Sequence, residues 1–173
     1  MAWKVNADRS KVQFVVKHLM VTAVRGRFTS FDGTLDINEE QPEASSVEGT
    51  VDAASVQTGL GPRDSNLRSA GRFDVARYPT MGFRSTRIEA LGGERFRVHG
   101  DLTIKALTRP VVFEVFSRGE QPAVGGKRRW AFEATVRLNR KEFGVQWHPL
   151  IEVGSLAVGD EVTGEMEIEV VEE

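Results

Sequence analysis

Apolar residues in this chain recur at every second position over long stretches, and that spacing constrains its fold more than any other feature. Residues 95–105 set Phe96, Val98, Leu102 and Ile104 on one face against Arg95, Arg97, His99, Asp101, Thr103 and Lys105. Residues 129–138 oppose Trp130, Phe132, Ala134, Val136 and Leu138 to Arg129, Glu133, Thr135 and Arg137. Near the C-terminus Val162, Met166, Ile168 and Val170 alternate with Glu161, Thr163, Glu165, Glu167 and Glu169. A period of two belongs to strands, and one apolar with one charged face marks antiparallel sheet wetted on one side. The pattern predicts an all-β protein.

Other segments follow the rule less cleanly. Val12, Phe14, Val16 and His18 share a face, as do Val47, Gly49, Val51 and Ala53. Between 24 and 37 the parity slips, from even Phe28 to odd Phe31, Leu35 and Ile37. A slip near Thr29-Ser30 predicts a β-bulge and a sharp bend. Phe83 and Ile88 disagree in parity, so 81–91 has no assignable face. Gly92-Gly93, Pro122 with Gly125-Gly126, and Gly154 with Gly159 punctuate the runs. Helix-capable pieces are confined to His18–Thr22, Arg63–Ser69 and Asn139–Phe143, at strand ends. About eight strands, with Gly26, Gly33, Gly49, Gly100 and Gly164 inside them, suggest a curved sheet closing into a barrel, and two flat packed sheets are the competing architecture. No repeat or linker divides residues 1–173, which are read as one domain.

Composition removes several functions. A formal net charge of −2 gives no electrostatic case for nucleic acid or an anionic membrane surface, and the absence of cysteine removes thiolate metal sites and Cys nucleophiles. The opening residues carry no signal-peptide pattern and no apolar run is long enough to span a bilayer, so a cytoplasmic protein without stable membrane insertion is expected. His99 falls on a polar face and His148 between Trp147 and Pro149 in a predicted loop, leaving His18, at the end of an apolar face, as the histidine of interest. No metal-ligand spacing, G-x-S-x-G elbow or phosphate loop occurs. No catalytic residue, metal or cofactor is assigned.

Five blocks in order carry a family resemblance. They are "DRSKVQFVVKHLMVTAVRGRFTSFDGTL", "TGLGPRDSNLRSAGRFDVARYPTMGFRST", "VHGDLTIKALTRPVVFEV", "LNRKEFGV" and "VGDEVTGEMEIEV". Together they resemble the YceI-like family of lipocalin-like proteins associated with polyisoprenoid binding. The resemblance implies an extended eight-stranded antiparallel barrel with short helices at the strand ends. Its apolar interior would hold a long-chain isoprenoid lipid, and a homodimer is expected from the resemblance more than from the residues. Two departures stand out. Asn66 replaces a common His and cannot titrate near neutral pH, and Arg72 replaces the first of two adjacent Phe residues.

Inward Phe14, Val16, Phe31, Phe83, Phe96, Phe113, Trp130 and Phe132 suit an isoprenoid wall, with His18, Leu67, Phe73 and Phe143 at the strand ends. Burying a forty-carbon chain would release roughly 30 kcal/mol at about 0.8 per CH₂, far beyond the roughly −20 at which affinities saturate. The true competitor is the bilayer, where the chain is already dry. That favours a carrier or storage vessel over a catalyst. Arg63, Asp64 and Asn66 form a polar segment with three readings: a strut tying a lid to the rim, a head-group contact, or catalysis. The alternative for the whole chain is a barrel filled by its own side chains, acting as a stress-related interaction module.

Overall fold

The computed structural model describes residues 2–18, 23–69, 72–145 and 158–173, without the side chains of 17, 18, 23 and 158–160. Eleven strands form one sheet: β1 (Ala2–Val5), β2 (Lys11–His18), β3 (Ala23–Phe28), β4 (Phe31–Asp36), β5 (Ser46–Asp52), β6 (Val56–Gln57), β7 (Thr80–Gly92), β8 (Arg95–Ile104), β9 (Leu107–Val124), β10 (Lys127–Asn139) and β11 (Val158–Glu172). Six of them are halves of three broken strands. A 3-10 turn at Ala7–Arg9 separates β1 from β2, Thr29-Ser30 separate β3 from β4, and a 3-10 turn at Ala53–Ser55 separates β5 from β6. Eight strand lines result, each antiparallel to the next.

β11 closes the ring. One edge pairs with β10 from Glu161 to Val171, and the other carries β2 and then β1 in tandem, with Met166 opposite Val12 and Val170 opposite Val5. The sheet therefore has no long free edge, which settles the choice between barrel and flat sandwich in favour of the barrel. The predicted slip at Thr29-Ser30 is the β3–β4 break. The ambiguity over 81–91 has the same kind of cause: a register shift between Ser85 and Arg87 re-aims the strand, so that Phe83 and Ile88 both face inward.

Turn chemistry explains two hairpins and not a third. Gly92 and Gly93 (φ 98° and 61°) enter the β7–β8 turn, and Gly125 and Gly126 (φ 61° and 76°) make the β9–β10 turn. The β8–β9 turn has the same left-handed conformation at Lys105 and Ala106 (φ 54° and 65°), with no glycine to mark it. Long registered strands on both sides, running from Ile104 opposite Leu107 to Arg95 opposite Phe116, impose it.

Two of the helix-capable pieces are helical and cover one end of the barrel. The helix α1 spans Gly61–Arg68 with Pro62 in its first turn, where a missing N–H costs nothing. Asn139 caps a 3-10 turn at Arg140–Phe143 by accepting the Lys141 N–H at 3.0 Å, and left-handed Gly144 ends it. The piece proposed at His18–Thr22 lies outside the described residues beyond His18. Buried Leu67 packs with Phe14, Val16 and Val56, buried Phe143 packs with Met81, Ile104 and Val136, and Phe28 and Phe73 bridge the two clusters.

Candidate functional site

The barrel is hollow. Its interior holds a cavity of about 580 Å³, well within the range of small-molecule sites. Eleven of the twelve wall residues expected from sequence line it: Phe14, Val16, Phe31, Leu67, Phe73, Phe83, Phe96, Phe113, Trp130, Phe132 and Phe143. The twelfth, His18, ends β2, and its side chain lies outside the described set, as does all of His148.

Aromatic contacts shape the walls. Phe14 and Phe28 have ring centroids 5.5 Å apart, Phe28 and Phe73 5.9 Å, and Phe83 and Phe113 4.9 Å at 72°. The Phe83 ring covers Gly100, where a Cβ would fall 2.6 Å from its Cε1. Leu67, Phe73 and Phe143 form the roof.

The floor was not legible from residue types alone. Trp3, fully buried, meets Trp130 edge-on at 6.1 Å, and Trp130 donates its indole N–H to Ser117 Oγ at 2.8 Å. Below them Arg128 lies 5.3 Å from the Trp3 ring and forks onto two carboxylates, Glu39 and Glu120, at 2.8–3.0 Å. Arg128 shares the parity of Trp130 and Phe132, and that was the available signal. The guanidinium's hydrogen bonds hold both carboxyls below the ordinary Glu range and raise Arg128 itself. Glu39 belongs to the β4–β5 loop, so this clamp ties that loop across the bottom of the barrel.

Arg63 and Asp64 do not line the cavity. Both grip Thr58 in the connection between β6 and α1. Asp64, buried, accepts from Thr58 N–H at 2.9 Å and from its hydroxyl, while Arg63 donates Nε–H to Thr58 Oγ1 at 2.9 Å and Nη2–H to Thr58 O at 3.2 Å. Arg68 completes the attachment by donating to Ala54 O and Val56 O, each at 2.9 Å. Asn66 contributes its backbone carbonyl, which accepts the Ser69 N–H at the helix end. These bonds tie Arg63 and Asp64 to the residue two positions before Leu60, the N-cap of α1.

Outside the cavity, Arg129 and Glu169 form a bidentate pair at 2.7 Å, with Arg129 also donating to Pro122 O and Ser10 Oγ accepting the Glu169 N–H. Arg129's hydrogen bonds hold the Glu169 carboxyl below its usual range. His99 on the outer wall sits 3.1 Å from Glu89 and 3.0 Å from Arg87, and its contact lowers Glu89. Among the described residues no group of three or more His, Asp or Glu is placed to hold a metal ion.

A family model described as "YceI-like domain" matches residues 3–170. An Azotobacter vinelandii protein described as "UPF0312 protein" is 36% identical over 135 residues, covering 78% of this chain and 70% of its own length. Among solved structures, BcnA of Burkholderia cenocepacia superposes with a TM-score of 0.80 at 25% identity, covering 95% of this chain and 98% of that one. A domain of Saccharophagus degradans described as polyisoprenoid binding, and implicated in plant cell wall breakdown, superposes with a TM-score of 0.72 at 14% identity, covering 97% of each chain.

Proposed function

The chain belongs to the YceI-like family, and on that premise we propose that its barrel binds a polyisoprenoid or similar long-chain amphiphilic lipid, as a carrier or storage protein. The observation carrying this reading is the cavity: a closed barrel whose inward positions leave about 580 Å³ bounded by aromatic and aliphatic side chains. A barrel packed solid by its own side chains, the alternative, would leave no such space. The roof and floor suit retention, because hydrophobic energy alone does not favour protein over bilayer and shape must decide.

Acid-base chemistry is not part of the proposal. Every displaced carboxyl and guanidinium among the described residues is pushed toward its charged form by a hydrogen-bonded partner. A catalytic acid or base needs displacement toward neutral pH. No helix among the described residues is long and apolar enough to cross a membrane.

Native mass spectrometry of protein purified from its own host, followed by solvent extraction and lipid analysis, tests the reading. A stoichiometric adduct that releases a prenyl lipid establishes carriage and names the cargo. A clean apo mass, unchanged after incubation with prenyl lipids, overturns it. The same spectrum reads the homodimer expected from the resemblance.

A further inference from the structure

Six polar or charged residues among the described ones are buried, and of these only Ser117 lines the cavity. The strand β9 brings it there, on the inward face it shares with Phe113 and Val115. A register shift between Ala131 and Phe132 sets Phe132 opposite Ser117 and Ala131 opposite Gly119. This bulge gives Gly119 a left-handed φ of 83° and turns its N–H back onto the serine.

A serine hydroxyl has two lone pairs and one proton. Both lone pairs of Ser117 are taken, by the Trp130 indole N–H at 2.8 Å and the Gly119 N–H at 3.1 Å. The hydroxyl is thereby left as a donor, and among the described residues its proton meets no acceptor. A buried donor with nothing to bond is costly and rare. The surroundings are short of acceptors too. Trp3, packed on Trp130, leaves its buried Nε1–H without a partner, and all four carboxylate oxygens of Glu39 and Glu120 accept from Arg128.

We infer that Ser117 is a subsite for an uncharged oxygen acceptor, a carbonyl in its simplest form, carried by the bound lipid at the floor of the barrel. This rests on the proposed reading, since it names the chemistry of one end of that cargo. Charge disfavours an anion there: the clamp sets Arg128 against two carboxylates, and Glu39 and Glu94 both line this end of the cavity. Glu94 is held beside the site, its carbonyl accepting the Ser117 N–H at 2.8 Å. The one cation in the described lining, Arg140, belongs to the turn at the roof and donates to Val145 O at 3.0 Å. A purely hydrocarbon end fits no better, because it would desolvate the serine proton without bonding it.

The test offers the full chain, in detergent, farnesylacetone, the prenyl hydrocarbon of equal length and farnesyl diphosphate, in competition read by native mass spectrometry. The ketone should bind about threefold to tenfold more tightly than either other probe. The chain has three tryptophans, and in a ¹⁵N spectrum of their indoles the Trp130 signal, assigned with Trp130→Phe, should move with the ketone and not with the hydrocarbon. Ser117→Ala should erase the preference, and Ser117→Thr, which keeps the hydroxyl, should retain it. Equal binding of ketone and hydrocarbon, tighter binding of the diphosphate, or a preference that survives Ser117→Ala overturns the inference. If Ser117→Ala fails to fold, the parent's binding ratio and its Trp130 signal decide alone. Failure of the cargo reading is separable, using 2-undecanone against undecane. Protein that prefers the short ketone but takes up no prenyl compound keeps the subsite and loses the cargo. Protein that takes up prenyl ketone and hydrocarbon alike does the reverse, and uptake of no probe loses both.

Discussion

The ring of Phe14 lies on Gly26, its registered partner across β2 and β3, so closely that a Cβ on Gly26 would fall 2.6 Å from Phe14 Cε1. The glycine is there because the ring is. Phe14 lies folded against its neighbouring strand, its ring tilted 43° to that of Phe28, and the cavity stays open beside it.

Gly26→Ala should therefore push Phe14 off its seat and into the cavity. A loss of about 1–3 kcal/mol is expected from the forced rearrangement. Adding Phe14→Leu should recover most of it. Chemical denaturation of the two variants measures both effects, and independence of the two substitutions would refute the coupling.

Gly49 offers the opposite situation. A Cβ there meets only the Asp32 carbonyl, at 3.6 Å, on the inward face shared with Val47 and Val51. Gly49→Leu should grow into the cavity, leave the melting temperature near that of the parent, and abolish uptake of a prenyl lipid followed by native mass spectrometry. Undiminished uptake would place the ligand elsewhere.

Ala106 holds a left-handed conformation that costs an L-residue roughly 1–2 kcal/mol. Ala106→Gly should raise stability by about 1 kcal/mol, less what glycine adds to the entropy of the unfolded chain. Thermal unfolding should show an increase of a few degrees, roughly 2–4 °C for a chain of this size.

Asp64→Asn removes the charged acceptor gripping Thr58. A buried hydrogen bond to a charged group contributes about 1.5–3 kcal/mol, so the melting temperature should fall. Amide hydrogen exchange should accelerate over 58–69 ahead of the barrel strands if the segment is a strut.

Glu169 couples stability to acid. Its carboxyl is held below the usual Glu value of 4.5 by Arg129, so the pair's contribution is complete above that value and is lost as pH falls through the lower, folded one. Glu169→Gln should lower the melting temperature at neutral pH, because Arg129 loses its carboxylate partner. It should also flatten the drop in melting temperature below about pH 4.5.

The alternation of Phe96 with Arg97, or Trp130 with Arg129, was enough to identify strands and their faces, because side-chain direction in a strand is a local property of the backbone, whereas closure into a barrel was decided by the pairing of both edges of β11. The alternation also put Phe14, Val16, Phe96, Trp130 and Phe132 on the faces that line the cavity. Parity failed where the backbone departed from regularity, at the Ser85–Arg87 shift and the glycine-free Lys105-Ala106 turn. Both are imposed by hydrogen-bonded pairing with a neighbouring strand. The residue types at Arg63, Asp64 and Asn66 allowed three roles, and that Arg63 and Asp64 both reach Thr58 and not the cavity is visible only in three dimensions. Arg128 and Glu39 are 89 residues apart, and their clamp exists only once β11 has closed the ring. Whether the inward side chains fill the barrel or leave it hollow was likewise decided in three dimensions. It depends on the ring's circumference and on where Phe14 and Phe83 lie over glycines, quantities fixed by strand pairing across the whole sheet and by no single stretch of sequence.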